Sequence, residues 1–147
     1  MVPDDGSINR AELGKLVFGS GNSDNLNKLN GIVWPEIWKL AEAQIQQYWK
    51  DGVKVVIIDA SVLLAAGWKD KVNQVWVSIV DREEAVKRIV ERDRKTEDEA
   101  VKRLQSQISN QEFVNAANVV FCSKWEKEFT QSQVKKAWDH LIANHLK

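Results

Sequence analysis

From Val53 to Gly67 the chain reads VKVVIIDASVLLAAG, and its apolar positions follow neither strict alternation nor a helical period. Val53, Val55, Val56, Ile57 and Ile58 form a β-branched run with one lysine inside it. Such a run predicts a central strand covered on both faces. It ends on Asp59, and in open α/β sheets ligands sit just beyond the carboxyl ends of the strands. Asp59, Ala60 and Ser61 are therefore the first place to look for chemistry, although an Asp here also suits a plain turn cap. Val62 to Gly67 predicts a short helical turn or a tight loop. Two further β-rich runs follow, at Val75 to Val80 and at Asn118 to Cys122.

Helical periodicity fills the remainder. Asp4 to Ser7 reads as a turn, with Ser7 capping a short helix through Leu13, Leu16, Val17 and Phe18. Gly19 to Asp24 reads as a loop, and Asn22 or Ser23 as the cap of a second short helix carrying Leu26 and Leu29. Trp34-Pro35 predicts the opening of a third helix, because proline is tolerated in a first turn. Its apolar stripe runs through Ile37, Trp38, Ala41, Ile45, Tyr48 and Trp49, and Gly52 stops it. Asp81 with Glu84, and Thr96 with Glu99, have the spacing of capping boxes. Ala85, Val86, Ile89 and Val90 point one helix inward, and Ala100, Val101, Leu104 and Ile108 the next. After a break at Ser109-Asn110, Gln111 to Ala117 predicts one or two helical turns. Thr130 is the expected cap of the last helix, whose buried stripe is Val134, Ala137, Trp138, Leu141, Ile142 and His145 or Leu146.

The resulting order, α-α-α-β-β-α-α-β-α, predicts an α/β fold with a parallel sheet and helices on both faces. Asp93 to Asn110 is rich in charge, poor in large apolar residues and bounded by breaks, the composition of a helical lid.

Composition narrows the function classes. At 147 residues, 44% hydrophobic and 29% charged, the chain is expected to form a single globular domain, 1–147. Lys+Arg and Asp+Glu are 21 each, so bulk charge points neither to nucleic acid nor to a membrane surface. No apolar stretch has the length of a membrane span. The first residues carry no basic and apolar targeting regions, and the one cysteine, Cys122, fits a reducing intracellular compartment. Seven tryptophans spread along the chain read as packing residues rather than a stacking platform for bases.

His140 and His145, five apart, read as ordinary helix residues, so no metal site is expected. Neither G-x-x-x-x-G-K-[ST] nor G-x-G-x-x-G occurs, so no phosphate-cradling loop lies in these residues. What stands out is basic: Arg82, Arg88, Arg92, Arg94 and Arg103. Arg88 and Arg92 are four apart on one helix face, as are Arg103 and Gln107 on the next. Guanidinium groups bind phosphate bidentately, so converging arginines make a polyphosphate clamp. The interleaved Glu83, Glu84, Glu91, Asp93, Glu97, Asp98 and Glu99 offer the alternative of a solvated mixed-charge surface, which the pattern alone favours.

Several stretches together resemble the dephospho-coenzyme A kinases. They are Asp5-Gly6-Ser7-Ile8-Asn9-Arg10, Leu13-Gly14, Val17-Phe18, and Leu29-Asn30-Gly31-Ile32-Val33-Trp34-Pro35-Glu36-Ile37. They continue with Ile58-Asp59-Ala60-Ser61-Val62-Leu63-Leu64, Ala66-Gly67-Trp68, Ala85 to Asp93, Arg103-Leu104-Gln105-Ser106-Gln107 and Val134 to Trp138. Trp34 is closer to the kinase half of animal bifunctional coenzyme A synthases than to the bacterial pattern.

The resemblance implies a P-loop kinase fold and transfer of the ATP γ-phosphoryl to the ribose 3′-hydroxyl of dephospho-coenzyme A, with Mg²⁺. It implies Arg88 and Arg92 at the ATP phosphates, and Arg103 and Gln107 as contacts from the returning lid helix. Arg92 and Arg103 are the residues it implies for catalysis, while Arg10, Asp59, Leu63 and Leu64 face the acceptor. The family's first strand, its Gly-rich loop with Lys and Ser/Thr, and a following Asp all stand ahead of the Asp-Gly element. The resemblance therefore implies about 40 to 60 further residues upstream, and the sheet's first strand is expected to be missing from these residues. An adenylyltransferase domain is the expected upstream neighbour. Ala65 departs from the pattern, where relatives carry an acid. The alternative function is a non-catalytic relative that binds but does not turn over. A nucleoside- or shikimate-type kinase is a third reading, which the Leu-Asn-x-Ile-x-Trp-Pro and Ala-Gly-Trp stretches disfavour.

Overall fold

The computed structural model describes residues 7–17, 23–105 and 107–146. Its contacts gather in two compact units, Met1–Asp59 and Ala60–Lys147.

The first unit is helical. Helix α1 covers Arg10–Val17 and α2 covers Ser23–Lys50. Asn9, not Ser7, caps α1: its Oδ1 accepts from the N–H groups of Ala11 at 3.1 Å and Glu12 at 3.2 Å. Near the start of α2, Asn25 Nδ2 donates to the Leu16 carbonyl at 3.1 Å, tying the two helices together. Two of the expected helices are thus one. Pro35 lies inside α2 rather than at its start. Proline removes one helical donor and crowds the carbonyl four residues back. Here that residue is the exposed Gly31, which has no side chain to crowd the ring and whose Cβ position is open space. Helix α2 ends as expected at Gly52. Gly52 N–H donates to Trp49 O and Val53 N–H to Tyr48 O, a Schellman closure. That closure needs the left-handed backbone Gly52 adopts at φ 79°. The turn expected at Asp4 to Gly6, the loop over 19–22, Phe18, Asn22 and the Ser23 side chain lie outside the described residues.

The expected central strand over Val53 to Ile58 is not formed. A strand exists as half of a ladder, and no described segment pairs with this run. Ile57 is 78% exposed, and Val53 and Val56 are exposed too. The α2 stripe is likewise only partly covered, with Trp38 buried but Ile37, Tyr48 and Trp49 exposed.

The second unit opens with the turn at 61–67, which closes like the end of α2. Gly67 N–H donates to Leu64 O, Trp68 N–H to Leu63 O, and Gly67 has φ 69°. A 3₁₀ turn at Trp68–Lys71 follows and buries Trp68. Strands β1 (Trp76–Ile79) and β2 (Val119–Cys122) pair in parallel, Trp76 opposite Val119 through Ile79 opposite Cys122. Two described strands replace the expected three, and the parallel sheet stands. The connection between them carries α3 (Arg82–Asp93), α4 (Glu97–Gln105) and α5 (Asn110–Ala116); α6 (Lys127–His145) follows β2.

Val75, Val77, Ile89, Ala100 and Phe121 are buried in this unit, and Trp76 meets Phe121 edge to face at 5.5 Å between ring centroids. Asn118 fixes the entry to β2: its Oδ1 accepts from Val75 N–H at 2.8 Å, and its own N–H donates to Val75 O. On α6, Gln133 satisfies both main-chain groups of Cys122, accepting its N–H at 3.1 Å and donating to its carbonyl at 2.8 Å. Thr130 does not cap α6, which starts at Lys127; its hydroxyl faces the Cys122 carbonyl at 3.5 Å instead. The α6 stripe is less buried than its pattern predicts, with Val134, Trp138 and Ile142 all exposed. The packing role expected of the tryptophans holds for Trp38 and Trp68, but Trp49 is 74% and Trp125 55% exposed.

Candidate active site

The basic cluster is built by α3, α4 and the reversal between them. Asp81 starts α3, its side chain accepting the Glu84 N–H at 3.0 Å. This bond, and then Lys124 beside Asp81 at 2.9 Å, hold the Asp81 carboxyl below its ordinary pKa; Asp81 in turn raises that of Lys124. The Glu84 side chain turns to Arg88, pairing with its Nε at 2.8 Å.

Arg88 also reaches the exit of β2, donating from Nη2 to the Ser123 carbonyl at 2.6 Å. Ser123 N–H donates to Ile79 O at 2.9 Å, so Arg88 braces the carboxyl ends of both strands against α3. Arg88 and Arg92, with Ile89 and Glu91, line one open depression on α3.

At the end of α3 the chain reverses through Arg94, a non-glycine residue at φ 51°. Thr96 then starts α4 with a full capping box. Glu99 N–H donates to Thr96 Oγ1, and Glu99 Oε2 accepts the Thr96 N–H at 2.9 Å. These contacts lower the Glu99 pKa, the Thr96 backbone bond first. Ala100, with no exposed surface, lets α4 lie against α3. The reversal brings Arg103 to the end of α3, where Asp93 receives both arginines. Arg92 binds it through Nε at 2.8 Å and Nη2 at 3.0 Å, and Arg103 through Nη1 at 2.6 Å. Asp93 is held below the usual carboxylate range, chiefly by the Arg92 hydrogen bond, and Arg92 is raised in return.

Arg92 and Arg103 therefore converge, and Arg88 shares a depression with Arg92 while being anchored at Ser123. Gln107 does not share a helical face with Arg103, because α4 ends at Gln105; it is exposed, its N–H donating to Leu104 O at 3.2 Å. Leu63 and Leu64 are half-buried and supply the carbonyls that close the 61–67 turn. Arg10 is exposed at the first position of α1, and Asp59 is exposed at the end of the first unit. Sequence reasoning gave Asp93 no site role, reading it as one of the interleaved acids at the edge of the lid segment. An acid next to Arg92 at a chain reversal was the available signal.

The arginines fit a polyphosphate: they are permanently charged forks already engaged with a two-oxygen anion. Among the described residues no three His, Cys, Asp or Glu side chains gather as metal ligands. His140 instead faces Asn144, whose Nδ2 donates to the His140 carbonyl at 2.9 Å. Mg²⁺ in phosphoryl transfer is held largely by substrate phosphates with one or two protein oxygens.

Comparison with solved structures places the architecture. The chain matches a Thermus thermophilus crystal structure with a TM-score of 0.73 at 22% identity, over 92% of this chain and 69% of that one. It matches the dephospho-CoA kinase from Campylobacter jejuni with a TM-score of 0.66 at 25% identity, over 96% and 69%. The fold is that of a P-loop-kinase-like α/β domain. The family pattern described as Dephospho-CoA kinase matches residues 1–126. The dephospho-CoA kinase of Carboxydothermus hydrogenoformans is 34% identical over 134 residues, covering 91% of this chain and 64% of its own length. That of Geobacter sulfurreducens is also 34% identical, covering 91% and 67%. The chain belongs to the dephospho-CoA kinase family. It spans about two thirds of the length of the curated relatives it matches.

Proposed function

We propose that this chain is the acceptor-side and lid-side part of an enzyme that phosphorylates the ribose 3′-hydroxyl of dephospho-coenzyme A with ATP, the last step of coenzyme A biosynthesis. Family membership supports the reading, and the convergence of Arg92 and Arg103 on one anion carries it. In the reaction the 3′-oxygen bonds to the γ-phosphorus as the bond to the β,γ-bridging oxygen breaks; ADP leaves and the hydroxyl proton is released. Arg92 and Arg103 hold the transferring oxygens and offset the charge that develops there. Arg88, fixed to the Ser123 carbonyl, contributes positive charge beside them. Mg²⁺, arriving with ATP, supplies further charge neutralisation.

On this reading Asp93 to Asn110 is the lid, and Gln107 lies on its returning side. Arg10, Asp59, Leu63 and Leu64 are assigned to the acceptor by resemblance alone. The reading also takes the phosphate-cradling loop from a further segment of the polypeptide, places an adenylyltransferase domain upstream as in bifunctional synthases, and puts the enzyme in the cytoplasm or mitochondrion. The test is phosphorylation of dephospho-coenzyme A by the native protein with ATP and Mg²⁺, with the product's 3′-phosphate identified by mass. Ala65, in place of the family's acid, favours the second reading, a non-catalytic binder. Binding of dephospho-coenzyme A without turnover by the native protein is its signature.

A further inference from the structure

The Arg92–Asp93–Arg103 cluster has a feature that phosphate binding alone does not require. The two guanidiniums are already occupied, by a carboxylate on the same chain. Arg92 grips Asp93 with both Nε and Nη2, one bond to each oxygen, and Arg103 adds a third bond to Oδ2. This two-oxygen, three-donor arrangement is also how such forks hold a phosphate. Asp93 is the last residue of α3 and Arg94 beyond it is left-handed, so the carboxylate sits at the bend linking α3 to α4. The Arg92 side chain is 68% exposed and that of Arg103 44%, which leaves both open to an incoming anion, whereas that of Asp93 is 22% exposed.

We propose that Asp93 is a positioning residue that occupies the phosphate seat of the two arginines in the ligand-free protein and is displaced by polyphosphate. It keeps two like charges side by side before the ligand arrives, and it sets the affinity by competing with the ligand. The inference rests on the functional reading above for the identity of the phosphate. The cost of displacement is small, because both arginines stay solvated on the exposed side of the pair and such screened pairs are weak, so the competition tunes affinity by about two- to five-fold.

The test is calorimetric titration of the full-length protein with inorganic tripolyphosphate. Asp93→Asn is expected to bind about two- to five-fold more tightly than wild type, and the gain is expected to vanish in Asp93→Asn/Arg103→Gln. Glu128→Gln on α6 removes the same charge elsewhere and is expected to give no gain. Asp93→Ser carries the test if Asp93→Asn fails to fold. Unchanged or weaker binding, an equal gain from Glu128→Gln, a gain that survives loss of Arg103, or no binding by either protein overturns the proposal. The titration needs neither acceptor nor turnover. A protein that fails to phosphorylate dephospho-coenzyme A therefore overturns the functional reading and leaves this result standing.

Discussion

Arg92 and Arg88 are four residues apart on the same helix, yet the structure gives them different partners. Arg88 is anchored to Glu84 and the Ser123 carbonyl, whereas Arg92 joins Arg103 on Asp93. Their substitutions are expected to separate. In the complete enzyme Arg92→Ala lowers kcat by about two to four orders of magnitude, as loss of an arginine that stabilises transferred charge does. Steady-state kinetics at saturating ATP check this, and an unchanged kcat returns Arg92 to a solvated surface. Arg88→Ala removes the brace at the exit of β2, so its thermal midpoint is expected to fall, which differential scanning calorimetry reads. Helical spacing made Arg88 with Arg92 visible in advance. The pairing of Arg92 with Arg103 was not visible, because it depends on a chain reversal through Arg94 that no local pattern announces.

At the scale of elements, signals contained within four residues were the readable ones. The box Thr96/Glu99 closes within its own first turn, so its chemistry needs nothing distant; Ser109/Glu112 closes as locally, at a position expected only to be a break. Ser109→Ala is expected to cost about 1 kcal/mol, measured by urea denaturation, since the α5 cap is lost. Thr130 had the right residue type in the wrong place, because Cys122 on the neighbouring strand takes its hydroxyl. Pro35 misled for the opposite reason: the rule against proline in a helix is a cost, not a prohibition, and α2 bears it on an exposed face. Pro35→Ala is expected to stabilise the chain by up to about 3 kcal/mol in the same assay, as the missing helical bond is restored.

For the whole molecule, the charge network sets the response to pH. Asp81, Asp93, Glu99 and Glu112 all have lowered pKa values in the folded chain, through Glu84 N–H, Arg92, Thr96 and Ser109 respectively. A depressed carboxyl binds its proton more weakly folded than unfolded. Its contribution is therefore complete above the unfolded value, near 4, and is lost as pH falls through the folded one. Urea midpoints are expected to hold from pH 7 to about 5 and to decline below about 4. The decline should be shallower in 1 M NaCl, because the groups are near the surface. Exposed apolar surface sets the second expectation. Ile57→Lys, at a 78% exposed position in the unpaired 53–58 run, is expected to reduce light scattering by concentrated solutions of the chain.

The sequence by itself determined the helix starts at Asp81 and Thr96, the glycine stops at 52 and 67, two of the strands, and the arginine-rich character of the lid segment. Each depends on short-range sterics or on hydrogen bonds closed within one turn. Tertiary structure alone decided whether Val53 to Ile58 becomes a strand, which apolar stripes are covered, and that Asp93 receives both Arg92 and Arg103. A ladder, a covered face and an ion pair ten residues apart each need a partner brought from elsewhere in the chain, and periodicity describes only one side of such a contact.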